Sequence, residues 1–170
     1  GRIPISLLQD ELPLQRHNDE LEVEEALRDI LVGCGLQEVI SYSLTSLSVE
    51  GRVTPGEELP ADDYIHLANP ISSERATLRR SLKASLLGTV ASNLRNTAGA
   101  MLFEIAAVYL PAAGQPLPDQ PLRLGIVMTG PRAAQSWLEP EGAPLDFYDL
   151  KGVVEAALEH LGIADATYEP

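Results

Sequence analysis

The segment that decides the fold is "MLFEIAAVYL", residues 101–110. Apolar residues occupy both alternating faces of this segment, which predicts a central strand covered on both sides. Glu104 is the exception. It shares a strand face with Leu102, Ala106 and Val108, so its carboxylate is expected to be buried.

A buried carboxylate needs a partner. The cations nearest to Glu104 in the sequence are Arg79, Arg80 and Arg95. Glu104 therefore either serves a site, by binding a substrate amine or orienting an arginine, or forms a structural ion pair with one of these arginines. The residues alone leave both interpretations open.

The elements on either side of this strand predict an α+β fold. Strands follow one another in pairs with no helix between them, which favours an antiparallel or mixed sheet flanked by helices over a doubly wound parallel sheet. The predicted strands are 38–44, 64–70, 101–110 and 122–130, and the predicted helices are one that starts at Asn18 or Asp19 and stops near Gly33, one over 83–95, and one over 149–161 that is capped by Asp146.

The first helix carries apolar residues on more than one side. At helical spacing its buried face comprises Val23, Ala26, Leu27, Ile30, Leu31 and Cys34. Leu21 and Val32 lie on the opposite face, beside Glu25 and Arg28. They are either isolated surface residues, which are common, or part of a second contact surface.

Composition excludes several classes of protein. The chain has 170 residues, 45% of them hydrophobic, and a net charge of −13, so it is expected to fold but not to bind nucleic acid by itself. Its single cysteine, Cys34, rules out an internal disulfide and is consistent with a cytoplasmic location. No apolar run is long enough to predict a membrane span.

Few residues suggest catalysis or ligand binding. His17, His66 and His160 are far apart in the sequence, and no phosphate-binding glycine motif is present. Arg79 and Arg80 could hold a phosphate, but adjacent residues on one element point in different directions. The residues therefore predict no catalytic, cofactor-binding or metal-binding site.

Several motifs, in order along the chain, resemble the bacterial phenylalanyl-tRNA synthetase beta subunit. They are "EALRDILVGCGLQEVISYSL" (25–44), "LANPISSERATLRRSLKASLLGTVASNLRN" (67–96), "LFEIAAVYL" (102–110), "SW" (136–137) and "DFYDLKGVVEAALEHLGI" (146–163). The resemblance covers roughly residues 2–165. It implies a class II aminoacyl-tRNA synthetase catalytic-like fold, with residues 1–18 as an extended lead-in from a preceding domain and 19–170 as a core domain truncated at its C-terminus.

The resemblance also implies that this module is not catalytic. Class II motif 2 places an arginine at the end of its first strand to hold the ATP α-phosphate, and this sequence has Leu110 there. A leucine cannot stabilise the charge that develops in adenylate formation. The implied role is a scaffold for the alpha subunit within a heterotetramer. ATP and magnesium would be used by the holoenzyme rather than this chain, and tRNA(Phe) would bind only in that context.

The resemblance gives two sets of residues a predicted role. The first helix occupies the place of the class II interface helix, so Leu21, Glu25, Arg28 and Val32 are predicted to face the alpha subunit. Arg79 is predicted to pair with Glu104, whereas Glu74, Arg75 and Arg80 are expected to be solvated or to face the partner. The alternative is an enzymatic or small-molecule-binding domain that keeps a pocket near Glu104 and Arg79.

Overall fold

The fold was analysed in a computed structural model that describes residues 14, 16–56, 58–133, 136–137 and 142–168. Most of the predicted lead-in, 1–13 and 15, therefore lies outside the described residues. The helices are α1 (Asp19–Gly33), α2 (Leu47–Glu50), α3 (Lys83–Asn93) and α4 (Phe147–His160), and the strands are β1 (Gln37–Glu38), β2 (Leu44–Thr45), β3 (Thr77–Leu78), β4 (Ala100–Ala107) and β5 (Leu122–Thr129).

The strands form one mixed sheet and one small ribbon. The main sheet has the order β1-β4-β5, with β1 parallel and β5 antiparallel to β4. Strands β2 and β3 form a separate antiparallel pair. The prediction of an α+β fold with a mixed sheet flanked by helices is thus confirmed, and β4 is the central strand.

Helices cover the main sheet on both faces because the side chains of β4 alternate between two cores. Leu102 and Val108 pack with Leu82, Leu86 and Val90 from α3 and the turn before it. Phe103, from the other face of β4, packs with Leu31 of α1 and Val153 of α4. Glu104 points toward the α3 side, on the same face as Leu102.

Side-chain caps define where the two flanking helices begin. The Asn18 side chain accepts a hydrogen bond from the Leu21 backbone N–H at the start of α1. Asp146 caps α4, and Asp149 reaches back to the Asp146 N–H, completing a capping box. Both caps agree with the prediction from the sequence.

Two backbone segments approach each other closely where β4 begins and β5 ends. Gly130 has a φ of +101°, and a Cβ atom there would lie 2.4 Å from the Cα of Gly99. Only glycine fits such a contact in this backbone conformation. The pair of glycines therefore fixes how β5 leaves the sheet.

Two predicted strands are much shorter than expected. The Val39 N–H still donates to the Phe103 carbonyl of β4, but residues 40–43 leave the sheet. Ile40 is exposed, and the Ser41 N–H bonds to the Glu104 side chain rather than to a neighbouring strand. Residues 64–70 make only an isolated bridge, between His66 and Thr77, because β3, to which they pair, is only two residues long.

The buried faces of two helices are also narrower than predicted. In α1, Leu31 is fully buried, but Val23 and Ala26 are exposed, and Val23 borders an open cavity that is also lined by Ile105 and by the start of β5. In α3, Leu86 and Val90 are buried, whereas Leu87 and Leu94 are 46% and 42% exposed. Both helices therefore carry apolar surface that the described residues leave uncovered.

Candidate functional site

A cluster of polar side chains lies in the interior of the described structure. It is formed by Glu104, Arg79 and Ser41, which come from three separate parts of the chain. Strand β4 supplies Glu104, the residue after β3 is Arg79, and Ser41 lies between β1 and β2. Backbone bonds position the arginine, since its N–H donates to the Ser43 carbonyl and its carbonyl accepts from the Tyr109 N–H, each at 2.9 Å. The cluster thus joins the ribbon to the main sheet.

The hydrogen bonds within this cluster occupy the Glu104 carboxylate. Arg79 Nη1 donates to Glu104 Oε1 at 2.9 Å, and the Ser41 N–H donates to the same oxygen at 3.1 Å. The Ser41 hydroxyl lies 2.7 Å from Oε2. Glu104 is 1% exposed and Arg79 is 3% exposed, so the pair is sealed from solvent.

Two further bonds hold the Arg79 guanidinium. Nη1 lies 2.8 Å from the Ser41 hydroxyl, to which it donates, and Nε donates to the Ala107 carbonyl at 3.2 Å. A buried charge pair of this kind is stable only when its remaining donors and acceptors are satisfied. The cluster therefore acts as an internal brace, with no oxygen of Glu104 presented to a ligand.

The neighbouring arginines point away from the cluster. Arg80 donates to Asp63 at 2.9 Å and lies over the Tyr64 ring, 5.3 Å from its centre. Arg75 lies over the Tyr42 ring at 4.2 Å. Arg80 is therefore held by its own chain rather than simply solvated, while Glu74 and Arg75 are exposed.

The residue at the C-terminal end of the predicted strand 101–110, Leu110, is uncharged. Leu110 is half-buried, and its backbone exchanges two hydrogen bonds with Asp119, at 2.9 and 3.0 Å. These bonds extend the β4–β5 pairing into the connecting loop. No guanidinium stands at this position to hold a phosphate.

The four residues predicted to face a partner are all on α1, but they differ in their surroundings. Leu21 is 47% exposed and Val32 is 56% exposed, and Glu25 is exposed. Arg28 instead bonds within its own chain, to Glu24 and, at 2.8 Å, to Glu38. The hydrogen bond that Arg28 donates to Glu38 is the main reason that the pKa of Arg28 is raised.

The histidines form no joint site. His17 lies against Asp19 and Glu22, His66 Nε2 is 3.0 Å from the Ala61 carbonyl, and His160 Nδ1 is 2.8 Å from the Ala156 carbonyl. Among the described residues, no group of three His, Cys, Asp or Glu side chains could hold a metal ion. No helix in the described part of the chain is long and apolar enough to cross a membrane.

Sequence reasoning missed Glu50. It ends α2, which lies between the predicted strands 38–44 and 64–70, where the sequence predicted neither a helix nor a strand. The residue is 3% exposed, and its Oε1 atom has no hydrogen-bond partner in the described residues. Burial raises the pKa of Glu50, and a hydrogen bond with the Thr45 side chain and the charge of Arg79 partly offset this effect. Nothing in the local sequence distinguishes it from a surface acid.

A polar cavity of about 440 Å³ adjoins Glu50. Its lining includes Ser41, Arg79 and Glu50, together with α2 and residues of the two loops that carry Tyr42 and Arg75. Glu104 is not part of this lining. The cavity and the Arg79–Glu104 pair are therefore neighbouring but separate features.

Comparisons with known proteins match nearly the whole chain. The profile of the family described as "Phenylalanyl tRNA synthetase beta chain CLM domain" matches residues 3–170. The phenylalanine–tRNA ligase beta subunit of Symbiobacterium thermophilum is 43% identical over 149 residues, which is 87% of this chain and 17% of that protein. The beta subunit of Geobacter metallireducens is 33% identical over 169 residues, 99% of this chain and 21% of that protein.

The chain thus spans about a fifth of the length of these relatives. Among solved structures, pyrrolysyl-tRNA synthetase from Desulfitobacterium hafniense has the same fold, with a TM-score of 0.63 and 21% identity. That alignment covers 86% of this chain and 48% of the synthetase.

Proposed function

The chain belongs to the phenylalanyl-tRNA synthetase beta chain CLM domain family, and on this basis we propose that it is a non-catalytic scaffold of a phenylalanine–tRNA ligase. In this role it adopts the class II catalytic-like fold without class II chemistry. The single observation that carries the proposal is the Arg79–Glu104–Ser41 cluster, whose charged groups are buried and bonded to one another. Adenylate formation needs charged groups that face the substrate.

The partner in this proposal is the alpha subunit, within a heterotetramer in the cytoplasm. The exposed apolar residues Leu21 and Val32, which share one face of α1, support an interface on this helix. Phenylalanine, ATP and magnesium would be used by the alpha subunit. With a net charge of −13, this domain is not expected to bind tRNA(Phe) outside the complex.

The alternative function, a substrate pocket lined by Glu104 and Arg79, fits the geometry only in part, because Arg79 lines the adjacent cavity but Glu104 does not. Both oxygens of Glu104 already have partners. A substrate amine would have to displace Arg79 from a carboxylate that is 1% exposed, which would leave a buried cation unpaired.

Phenylalanine-dependent exchange between ATP and pyrophosphate tests the proposal. The assay uses the full-length beta subunit that contains this chain, purified free of alpha subunit and then recombined with it. We expect no exchange from the beta subunit alone and clear exchange after recombination. Exchange by the beta subunit alone, at a rate near that of the complex, would show that the domain is catalytic.

A further inference from the structure

Two buried carboxylates share one buried cation in the described core. Glu50 and Glu104 are both almost fully buried, and Arg79 is the buried arginine beside them. Arg79 donates to Glu104, to Ser41 and to the Ala107 carbonyl, so Glu50 feels its charge without receiving a hydrogen bond from it. The charge of Glu50 is therefore not compensated by a direct partner.

The two oxygens of Glu50 differ in their surroundings. The Thr45 side chain supplies a hydrogen bond to the carboxylate, while Oε1 has no partner among the described residues. A buried acceptor without a donor is costly, by an amount comparable to a lost hydrogen bond or more. The cavity of about 440 Å³ that Glu50 lines is where a donor could be added.

From this arrangement, we propose that the cavity binds a small primary ammonium compound, with Glu50 as its anionic acceptor. An ammonium group carries only donors and one positive charge, which are the two things that Glu50 lacks. The Ser46 and Ser48 hydroxyls line the same cavity and can accept its other hydrogens. An anion placed against Glu50 would meet a buried carboxylate that has no direct counter-charge.

The geometry favours an ammonium over a guanidinium. A guanidinium fork binds a carboxylate best through both oxygens at once, but the Thr45 side chain already bonds to the Glu50 carboxylate. An ammonium group needs only one oxygen. Three arginines, Arg52, Arg75 and Arg79, line the cavity with the two acids Glu50 and Glu74, so a second positive charge on the ligand has no acid left to pair with. A monoamine is therefore expected to bind at least as well as a polyamine.

The test uses the complex of full-length alpha and beta subunits and n-propylammonium chloride as the probe. Tetramethylammonium chloride has the same charge but no N–H donor, and sodium chloride controls for ionic strength. Hydrogen–deuterium exchange followed by mass spectrometry reports on the peptide that contains residues 44–54. We expect saturable protection of this peptide with n-propylammonium and none with the two control salts.

Variants then assign the effect to Glu50. Glu50→Gln keeps the shape of the side chain but removes its charge, and we expect its affinity for n-propylammonium to fall by about tenfold or more. Glu155→Gln, on α4 across the sheet, is the matched control and should bind like the wild type.

Protection by tetramethylammonium equal to that by n-propylammonium, no protection at all, or full affinity in Glu50→Gln would each overturn the proposal. The comparison of salts on the wild type decides the question even if Glu50→Gln fails to fold. The proposed amine site does not include Glu104. A negative result in this test would therefore leave the scaffold proposal intact.

Discussion

Arg79 shows how a single residue can connect two parts of a small fold. Its backbone bonds to Ser43 and Tyr109, while its side chain bonds to Glu104 and Ser41. The sequence predicted the pairing of Arg79 with Glu104 because β4 is apolar on both faces and its one acid needs a cation. Ser41 could not be predicted in this way, because a serine in an apparent strand gives no sign of a side-chain partner 63 residues away.

Replacing Arg79 tests the structural role of the pair. We expect Arg79→Met to lower the free energy of opening of β4 by about 3–5 kcal/mol, because Glu104 would be left buried without its cation. Native-state hydrogen exchange of the β4 amides measures this quantity.

The double variant Arg79→Met/Glu104→Gln is the control for the charge. It removes both partners, and its loss should be clearly smaller than that of Arg79→Met alone. Equal losses in the two variants would mean that the packing of the arginine, rather than the charge pair, is what matters.

Glu50 predicts an unusual dependence of stability on pH. Burial raises its folded-state pKa above the ordinary value of 4.5, so the folded state holds a proton that the unfolded state has released. Stability therefore falls as pH rises from about 4.5 through the folded pKa. We expect Glu50→Gln to melt at a higher temperature than the wild type at pH 8, in buffer free of primary amines, with a smaller difference at pH 5.

Thermal unfolding of the two proteins at both pH values measures this effect. The Glu155→Gln variant serves again as a control, because its carboxylate is exposed and pairs with Lys151 at the surface. A constant difference between Glu50→Gln and the wild type at both pH values would contradict the assigned cause.

At the scale of elements, long patterns were predicted well and short strands poorly. Helices α1, α3 and α4 and strands β4 and β5 lie within a few residues of their predicted ranges. The segments 39–43 and 64–70 have the composition of strands, but tertiary contacts decide their conformation. The Ser41 N–H bonds to a side chain, and β3 offers only two residues for pairing.

Two glycines in different elements should respond to substitution in opposite ways. Gly88 lies inside α3 with nothing within 4 Å of a Cβ atom, so Gly88→Ala should stabilise by about 0.5–1 kcal/mol. Gly130 has a positive φ and touches Gly99, so Gly130→Ala should destabilise by more than this amount. Chemical denaturation of the two variants beside the wild type measures both changes, and a loss of stability in Gly88→Ala would indicate that α3 is packed more closely than the structure shows.

At the scale of the whole molecule, the apolar surface of α1 is the feature that most needs a partner. Leu21 and Val32 are about half exposed and share one face of this helix, whereas the exposed Val23 lies on its other side. The sequence predicted Leu21 and Val32 because they fall outside the buried stripe. It placed Val23 in the core because helical spacing does not show how closely a helix packs on its sheet, and here an open cavity lies between Val23 and the start of β5.

The double variant Leu21→Asp/Val32→Asp tests the proposed contact with the alpha subunit. Two charges at an apolar contact should weaken association by about tenfold or more, because they would be buried without partners. Affinity is measured by titrating the beta subunit with alpha. Leu87→Asp/Leu94→Asp is the matched control, since these residues are similarly exposed on α3, across the sheet.

The control should associate like the wild type. An unchanged affinity in Leu21→Asp/Val32→Asp would remove α1 from the proposed interface, whereas equal weakening in both double variants would point to a general loss of folding.

The bond between Ser41 and Glu104 also has a consequence for the order of events during synthesis. Ser41 is made 63 residues before Glu104, which at ribosomal rates is an interval of about 3–13 s. In that time residues 39–43 lack the carboxylate that fixes them. The bond that closes this part of the mature domain therefore also sets the earliest moment at which it can close.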